Sequence, residues 1–376
     1  MEVELDNVKK PENLDPKQLK KKKIIKISII VGVSLLVGIL LFVGYWVYFR
    51  KGNNFLSNLK QKPSTVSSKI ANKLDGRKVD TDKANRHPLA IMVENHPDAR
   101  PQSGLDKASI VYEAITEGGI TRFMAVYGPY DATKVGPVRS ARTYFIDWVQ
   151  SFKAYYAHCG GNLDALDKIK TDGVLDLDQF AVGDKAYWRE PQKGKASEHT
   201  MFTSTDKLYA VVSSKGWSEA NNCVSLKFAD AIDATKRTFG QDISIKFSSA
   251  SYDVSWVYDK VANSYKRTMA GTAHNDGVTG EQLKATNVII QEVNRHEAPT
   301  AINEQGWAMQ TTGTGKAMVF SQGVQTDGTW KKTEQTSRTT FYDSTGKEIV
   351  FTPGSFWIEI VPPDVYSAIK VTPLTQ

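Results

Sequence analysis

Two arginines stand where an apolar strand hands over to a helix, in KVGPVRSARTYF at 134–145. Pro137 ends the strand, Ser140 is suited to an N-cap, and Phe145, Trp148, Val149 and Phe152 then recur at helical spacing. Arg139 precedes that cap and Arg142 falls in the first turn, where a cation opposes the helix dipole. The arrangement makes chemical sense if an anion occupies the free N–H groups, because a guanidinium grips phosphate or carboxylate in bidentate fashion. Two sources of that anion are open: a bound ligand, or an internal carboxylate from Glu113 or Glu117. Both glutamates lie in the hairpin YEAITEGGITRF. A two-residue turn at Gly118-Gly119 predicts Glu113, Ile115, Glu117, Ile120, Arg122 and Met124 on one face, with Arg122 diagonal to both acids. That face is either a structural ion-pair cluster or a pocket floor on which Glu113 and Glu117 act as acid or base.

A second strand-to-helix junction, YYAHCGGNLDALDKIK, runs through His158, Gly160 and Gly161 to Asn162, an expected N-cap. Paired glycines allow backbone N–H groups to converge on an anion, and open α/β sheets collect ligands where such junctions lie side by side. They also serve a plain tight turn. His158 is either a third acid–base candidate or a hydrogen-bonded core histidine. The proline-stiffened loop VENHPDARPQSGL offers Asn95, His96, Asp98, Arg100 and Gln102, as a pocket lining or as an ordered surface turn. A further loop, YWREPQKGKASEHTMFTS, adds Arg189, Glu198 and His199, and GTAHND contributes His274 and Asp276. There is no GxSxG, HExxH, Walker loop or GxGxxG, and Cys159 and Cys223 form no CxxC. The sequence therefore assigns no metal site and no cofactor, and it leaves the two thiols either paired or free.

The elements that must position these groups fall into two regions. Segments 88–95, 109–116, 120–128 and 154–159 read as strands, and 141–152 and 205–216 as helices. This alternation predicts an α/β domain over 87–240. Residues 241–376 consist of short alternating runs broken by Gly, Asn and Asp, which predicts a mainly-β second domain. Ahead of both, residues 27–49 form 23 consecutive uncharged, largely apolar residues, where a bilayer crossing needs about 20. Lysines crowd the 1–26 side, so the expectation is a cytoplasmic tail at 1–26, a transmembrane helix at 27–49 and an extracellular linker at 50–86. The net charge of +7 resolves into +3 on 1–26 and +7 on 50–87, leaving −3 on the remainder. The basic residues thus flank the apolar stretch, which argues against nucleic-acid binding and favours contact with anionic lipid or wall polymer.

The motifs VENHPDARPQSGL, YEAITEGGITRF, VGPVRSAR, HCGGN and the tail WVYDK…YKRTMAG…NVIIQEV…PGSFWIEIVP resemble those of the YerB-like family of Gram-positive surface proteins. The resemblance spans His87 to Pro362. It implies an N-terminal α/β half and a β-rich C-terminal half, exported and held at the membrane. Many members of the family look like lipoproteins; this chain carries residues 27–49 instead. The resemblance supplies no activity, so Asn95, His96, Arg100, Glu113, Glu117, Arg122, Arg139, Arg142 and His158 carry over as motif residues only. The layout is also similar to that of the LytR-CpsA-Psr wall-polymer transferases, whose arginines hold a lipid-linked pyrophosphate, although their acidic metal-binding motif has no counterpart here. Two functions are expected in consequence. One is an envelope protein whose arginines bind a wall polymer, a lipid-linked precursor or a partner protein. The other is a wall-glycan enzyme acting on a phosphorylated substrate.

Overall fold

Near-continuous apolar runs decide the centre of the fold, since a strand covered on both faces has no polar side to show. LAIMVE (Leu89–Glu94), IVYEAI (Ile110–Ile115), TRFMAVY (Thr121–Tyr127) and FWIEIV (Phe356–Val361) are buried along their whole length. The computed structural model describes residues 17, 20–21, 32, 34–46, 68–217 and 220–375. These fall into two units, Met1–Ser67 and Ser68–Gln376.

The larger unit is organised by a ten-stranded mixed sheet. Its strands are β1 (Leu89–Glu94), β2 (Ile110–Ile115), β3 (Thr121–Tyr127), β4 (Tyr155–His158), β5 (Asp176–Asp178), β6 (Asn287–Glu292), β7 (Gly313–Ser321), β8 (Val324–Lys332), β9 (Thr340–Asp343) and β10 (Phe356–Val361). Their spatial order is β9-β8-β7-β6-β10-β2-β3-β1-β4-β5. Strand β10 pairs in parallel with β6 on one side and β2 on the other, so one sheet runs through both sequence regions. Helices α1 (Thr143–Gln150) and α2 (Leu163–Thr171) cover one face, against Met92, Tyr112 and Met124. The other face packs on helix α3 (Thr205–Ser214) and on a second, antiparallel sheet containing Gln241–Lys246, Asp253–Asp259 and Ser264–Met269. The α/β character of the first region and the β-rich character of the second are as expected.

Four details depart from the sequence reading. Residues 68–86, expected in the linker, belong to the folded unit. Lys69–Ala71 pairs with Lys78–Asp80, and Leu74 is buried beside an Asn72 side chain that accepts from the N–H groups of Leu74 and Asp75. A single leucine in a polar run leaves no periodic signal. The β2–β3 register is shifted by one residue, with Glu113 opposite Phe123 and Ala114 opposite Arg122. The turn is longer than two residues, with Gly118 and Gly119 both at positive φ (65° and 73°) and Thr116 N–H closing onto Ile120 O at 2.7 Å. Because side chains alternate, that slip puts Glu113 and Arg122 on opposite faces. Helix α1 is capped at Arg142 rather than Ser140, because 139–141 is held extended by Arg139 N–H to Met92 O (3.0 Å) and Ala141 N–H to Gly160 O (2.9 Å). In the smaller unit, residues 34–46 are helical with exposed apolar side chains such as Leu40, Leu41 and Phe42. Among the described residues no helix is long and apolar enough to cross a membrane. The expected span also covers 27–31, 33 and 47–49, which lie outside the described residues, as do 50–67 of the linker and most of the 1–26 tail.

The two sequence regions are joined by buried charge. Arg267, from the second sheet, ion-pairs with Glu113 of β2 and lies 4.0 Å from Glu359 of β10; all three side chains have 0% exposure. Glu113 and Glu359 sit opposite each other in register. Arg100 also acts electrostatically on Glu113, while Glu359 has only the more distant contact with Arg267. Burial first, and Glu113 second, raise Glu359 well above the ordinary carboxyl range. Trp256 Nε1 donates to Glu359 at 2.8 Å, and Arg267 donates to His274 Nδ1 at 2.7 Å.

Arg267→Met removes the cation that faces Glu113 and Glu359, and is expected to lower stability by about 3–5 kcal/mol in urea unfolding. Glu359→Gln keeps the shape of the protonated acid and is expected to retain stability at neutral pH. A raised folded-state pKa means that the native form holds the extra proton. The wild type should therefore lose stability as pH rises from the ordinary carboxyl range toward the raised value, and the glutamine variant should lack that slope.

Candidate functional site

The segment 139–142 and the turn 159–161 run side by side, bridged at Ala141 and Gly161. Cys159 N–H donates to Arg139 O (3.0 Å) as Ala141 N–H donates to Gly160 O. A Cβ on Gly161 would come within 3.3 Å of Ala141, so glycine permits the approach. At Gly160 the requirement is a positive φ of 61°. Its N–H is taken by Asp178 Oδ1 at 2.8 Å, and Asn162 caps α2 as expected.

The bridged segments open onto two clefts. One, of about 560 Å³, is lined by Arg139, Ser140, Cys159, Gly160, Gly161, Leu166, Asp178, Phe180, Arg189 and Glu198. The other, of about 350 Å³, is lined by Glu117, Arg142, Asn162, Thr300, Glu304 and Gln305. Arg139 Nε lies 3.0 Å from Glu94 Oε1, a contact whose alignment falls short of a hydrogen bond. Arg142 Nε donates to both Glu117 oxygens (2.9 and 2.8 Å), and its terminal nitrogen donates to Ala141 O (2.8 Å). These two arginines therefore meet internal carboxylates, and each also faces a cleft.

Arg122 differs from both. It is buried behind the bridged segments, donates to Ser140 O at 2.9 Å, and makes no ion pair among the described residues. Among the described residues its Nε has no hydrogen-bond partner, nor have the hydroxyls of Tyr144 and Tyr156, which are both buried. Burial first, then the neighbouring Arg142 guanidinium, push Arg122 down to about 10. The Tyr144 and Tyr156 phenols are raised by burial, so both remain protonated donors at neutral pH. The three guanidinia lie within electrostatic reach of one another, and the clefts also carry acids: Asp178 and Glu198 beside Arg139 and Arg189 in the larger, Glu117 and Glu304 beside Arg142 in the smaller.

Other residues singled out from sequence go elsewhere. Glu113 lines neither cleft; it accepts from Thr121 Oγ1 (2.6 Å) and Asn95 Nδ2 (3.3 Å) in the interior network around Arg267. Arg100 donates to Asn95 O and Ser251 O (3.1 and 2.8 Å) and stacks over Tyr252, and burial lowers its pKa. His158 is buried with both ring nitrogens engaged, by Asp176 Oδ1 (3.0 Å) and Gly160 O (2.8 Å), and so is placed as a core histidine. His96 caps the turn Pro97–Ala99 and stacks on His199. Both cysteines are free thiols, and burial raises the pKa of each.

Sequence reasoning missed Tyr144, Tyr156, Phe180, Arg267 and Glu359. A lone acid inside the apolar run FWIEIV was the legible signal for Glu359. For the tyrosines no signal exists, because each is a normal apolar position of its helix or strand.

Residues 74–218 match the N-terminal domain, and 243–358 the C-terminal domain, of the family described as protein of unknown function DUF3048. YerB of Bacillus subtilis (strain 168), described as a candidate lipoprotein, is 30% identical over 300 residues, covering 79% of this chain and 88% of that protein. The crystal structure of Bacillus subtilis YerB superposes with a TM-score of 0.72 at 29% identity, covering 81% of this chain and all of that one.

A buried arginine without a carboxylate partner is a poor contributor to stability. Arg122→Met is expected to be as stable as wild type, or more stable by up to about 4 kcal/mol, in urea unfolding without added anion. A clear loss of stability would mean that the fold itself needs the guanidinium.

Proposed function

The chain belongs to the YerB-like DUF3048 family, and on that premise we propose that it is a membrane-anchored envelope protein that binds an anionic ligand at the arginine face. The ligand class is a phosphate- or carboxylate-bearing wall polymer or lipid-linked precursor. The observation that carries the reading is the buried Arg122, uncompensated and accompanied by unpartnered donors on Arg122, Tyr144 and Tyr156. A positive charge held in a low-dielectric interior strengthens the pull of the nearby clefts on an anion. Arg139 and Arg142 are the groups that would touch it, each exchanging part of an internal ion pair for the ligand. In the larger cleft the exposed ring of Phe180, beside Gly160, offers an apolar face on which a sugar ring could stack.

Anchoring is the second part of the reading. The apolar stretch 27–49 is assigned as a single crossing, with the lysine-rich N-terminus cytoplasmic and Ser68–Gln376 outside. The Bacillus subtilis relative's description as a lipoprotein candidate supports the same side of the membrane by a different attachment.

The full chain is expected to bind purified phosphate-bearing wall polymer, with affinity falling as salt rises. Arg142→Ala should weaken binding by about 10- to 100-fold, the worth of one charge-assisted hydrogen bond. Binding unchanged in the Arg139→Ala/Arg142→Ala double variant, with the fold retained, would sink the assignment. Turnover of the polymer would make the protein an enzyme rather than a binding protein.

A further inference from the structure

A group of side chains outside the arginine clefts has the composition of a metal site. His96, Asp98 and His199 each place one nitrogen or oxygen so that all three atoms lie within 4.8 Å of one another. We infer that these residues bind a divalent transition-metal ion, with Glu94 orienting His199.

The strongest support comes from Glu94. Its Oε2 accepts from His199 Nδ1 at 2.9 Å, both side chains being buried. A carboxylate can only accept, so the proton sits on Nδ1 and the lone pair of Nε2 is left for a ligand. The carboxylate–histidine pair is the arrangement that fixes ring orientation and raises basicity at metal sites. Arg139 lies 3.0 Å from the other Glu94 oxygen and shares that carboxylate with His199.

His96 stacks on His199 with the rings nearly parallel (8° between planes, centroids 4.9 Å apart), so it must rotate out of the stack before an in-plane lone pair can share an ion with His199 Nε2. His96 Nδ1 accepts only a 3.2 Å contact from Asp98 N–H and lies 3.6 Å from Asp98 Oδ2. Tetrahedral zinc-type ligands stand about 3.4 Å apart, so the His96–Asp98 pair is near that spacing and the widest pair must close by up to about 1.4 Å. Asp98 and His96 can move to do so, because their side chains are 67% and 34% exposed. The same exposure leaves the remaining coordination positions to water or ligand. Two imidazoles and one carboxylate favour zinc, cobalt or nickel over calcium or magnesium. The inference does not depend on the anion reading.

The test is titration of the metal-stripped full chain with Co2+, read by visible absorption, and with Zn2+, read by calorimetry. One equivalent is expected to bind. Asp98→Ala alters an exposed side chain, whereas His96→Ala also removes the cap of Pro97–Ala99, so the double variant should fold with a slightly lowered melting temperature and lose binding. Glu94→Gln, if folded, should weaken affinity by about 10- to 100-fold without changing stoichiometry. Absence of binding by the folded wild type, or binding unaltered in the His96→Ala/Asp98→Ala variant, would overturn the inference.

Discussion

A guanidinium shared between two buried carboxylates holds this molecule together. Arg267 reaches from one sheet to Glu113 and Glu359, which belong to neighbouring strands of the other sheet and to opposite ends of the sequence. None of the three is reached by solvent, so removing one partner leaves the others buried without it. Aromatic walls complete it: the guanidinium carbon stands 4.6 Å from the Trp357 ring centre and 5.5 Å from that of Trp256. The specificity of the arrangement lies in register. Only when β10 lies beside β2 with Glu359 opposite Glu113 does Arg267 find both acids.

That interior network also settles what the far side of β2 and β3 can be. Alternation sends Glu113 and Thr121 toward Arg267, and hence Arg122 toward α1, α2 and the bridged segments. The polar loop after β1 is recruited to the same interior. Gln102 donates to Asn95 Oδ1 (2.7 Å) and accepts from His274 Nε2 (2.8 Å), which makes this histidine the Nε2–H tautomer. Burial, then Arg267, hold His274 well below its ordinary pKa, so it stays neutral. Most of the ARPQSGL motif therefore serves the joint between the two regions, while the arginines of VGPVRSAR serve the opposite face. Glu94, at the end of β1, connects Arg139 to His199 and so lies between the arginine face and the histidine pair.

Much of the architecture was legible. The four central strands, helices α1 and α3, and the change from α/β to β-rich composition were readable because each is a local pattern of apolar residues. Less of the site was. The one-residue shift at Gly118-Gly119 was invisible because two glycines fit a two-residue and a longer turn equally well, yet it moved Arg122 to the other side of the sheet from Glu113. Ser140 is a good N-cap by type and does not cap, since pairing of Ala141 with Gly160 holds the chain extended past it.

By itself, the sequence determined the family, the central strands, helices α1 and α3, the closeness of Arg139 and Arg142 along the chain, and the flanking of residues 27–49 by basic residues. These depend on neighbours in the chain or on motifs a few residues long. Tertiary structure alone decided that Glu113 is an interior partner of Arg267, that Arg122 is buried without a counter-ion, and that His96 meets His199. Each of those outcomes is a balance of charge and desolvation between groups far apart in sequence. No residue type announces beforehand which distant partner will share its burial.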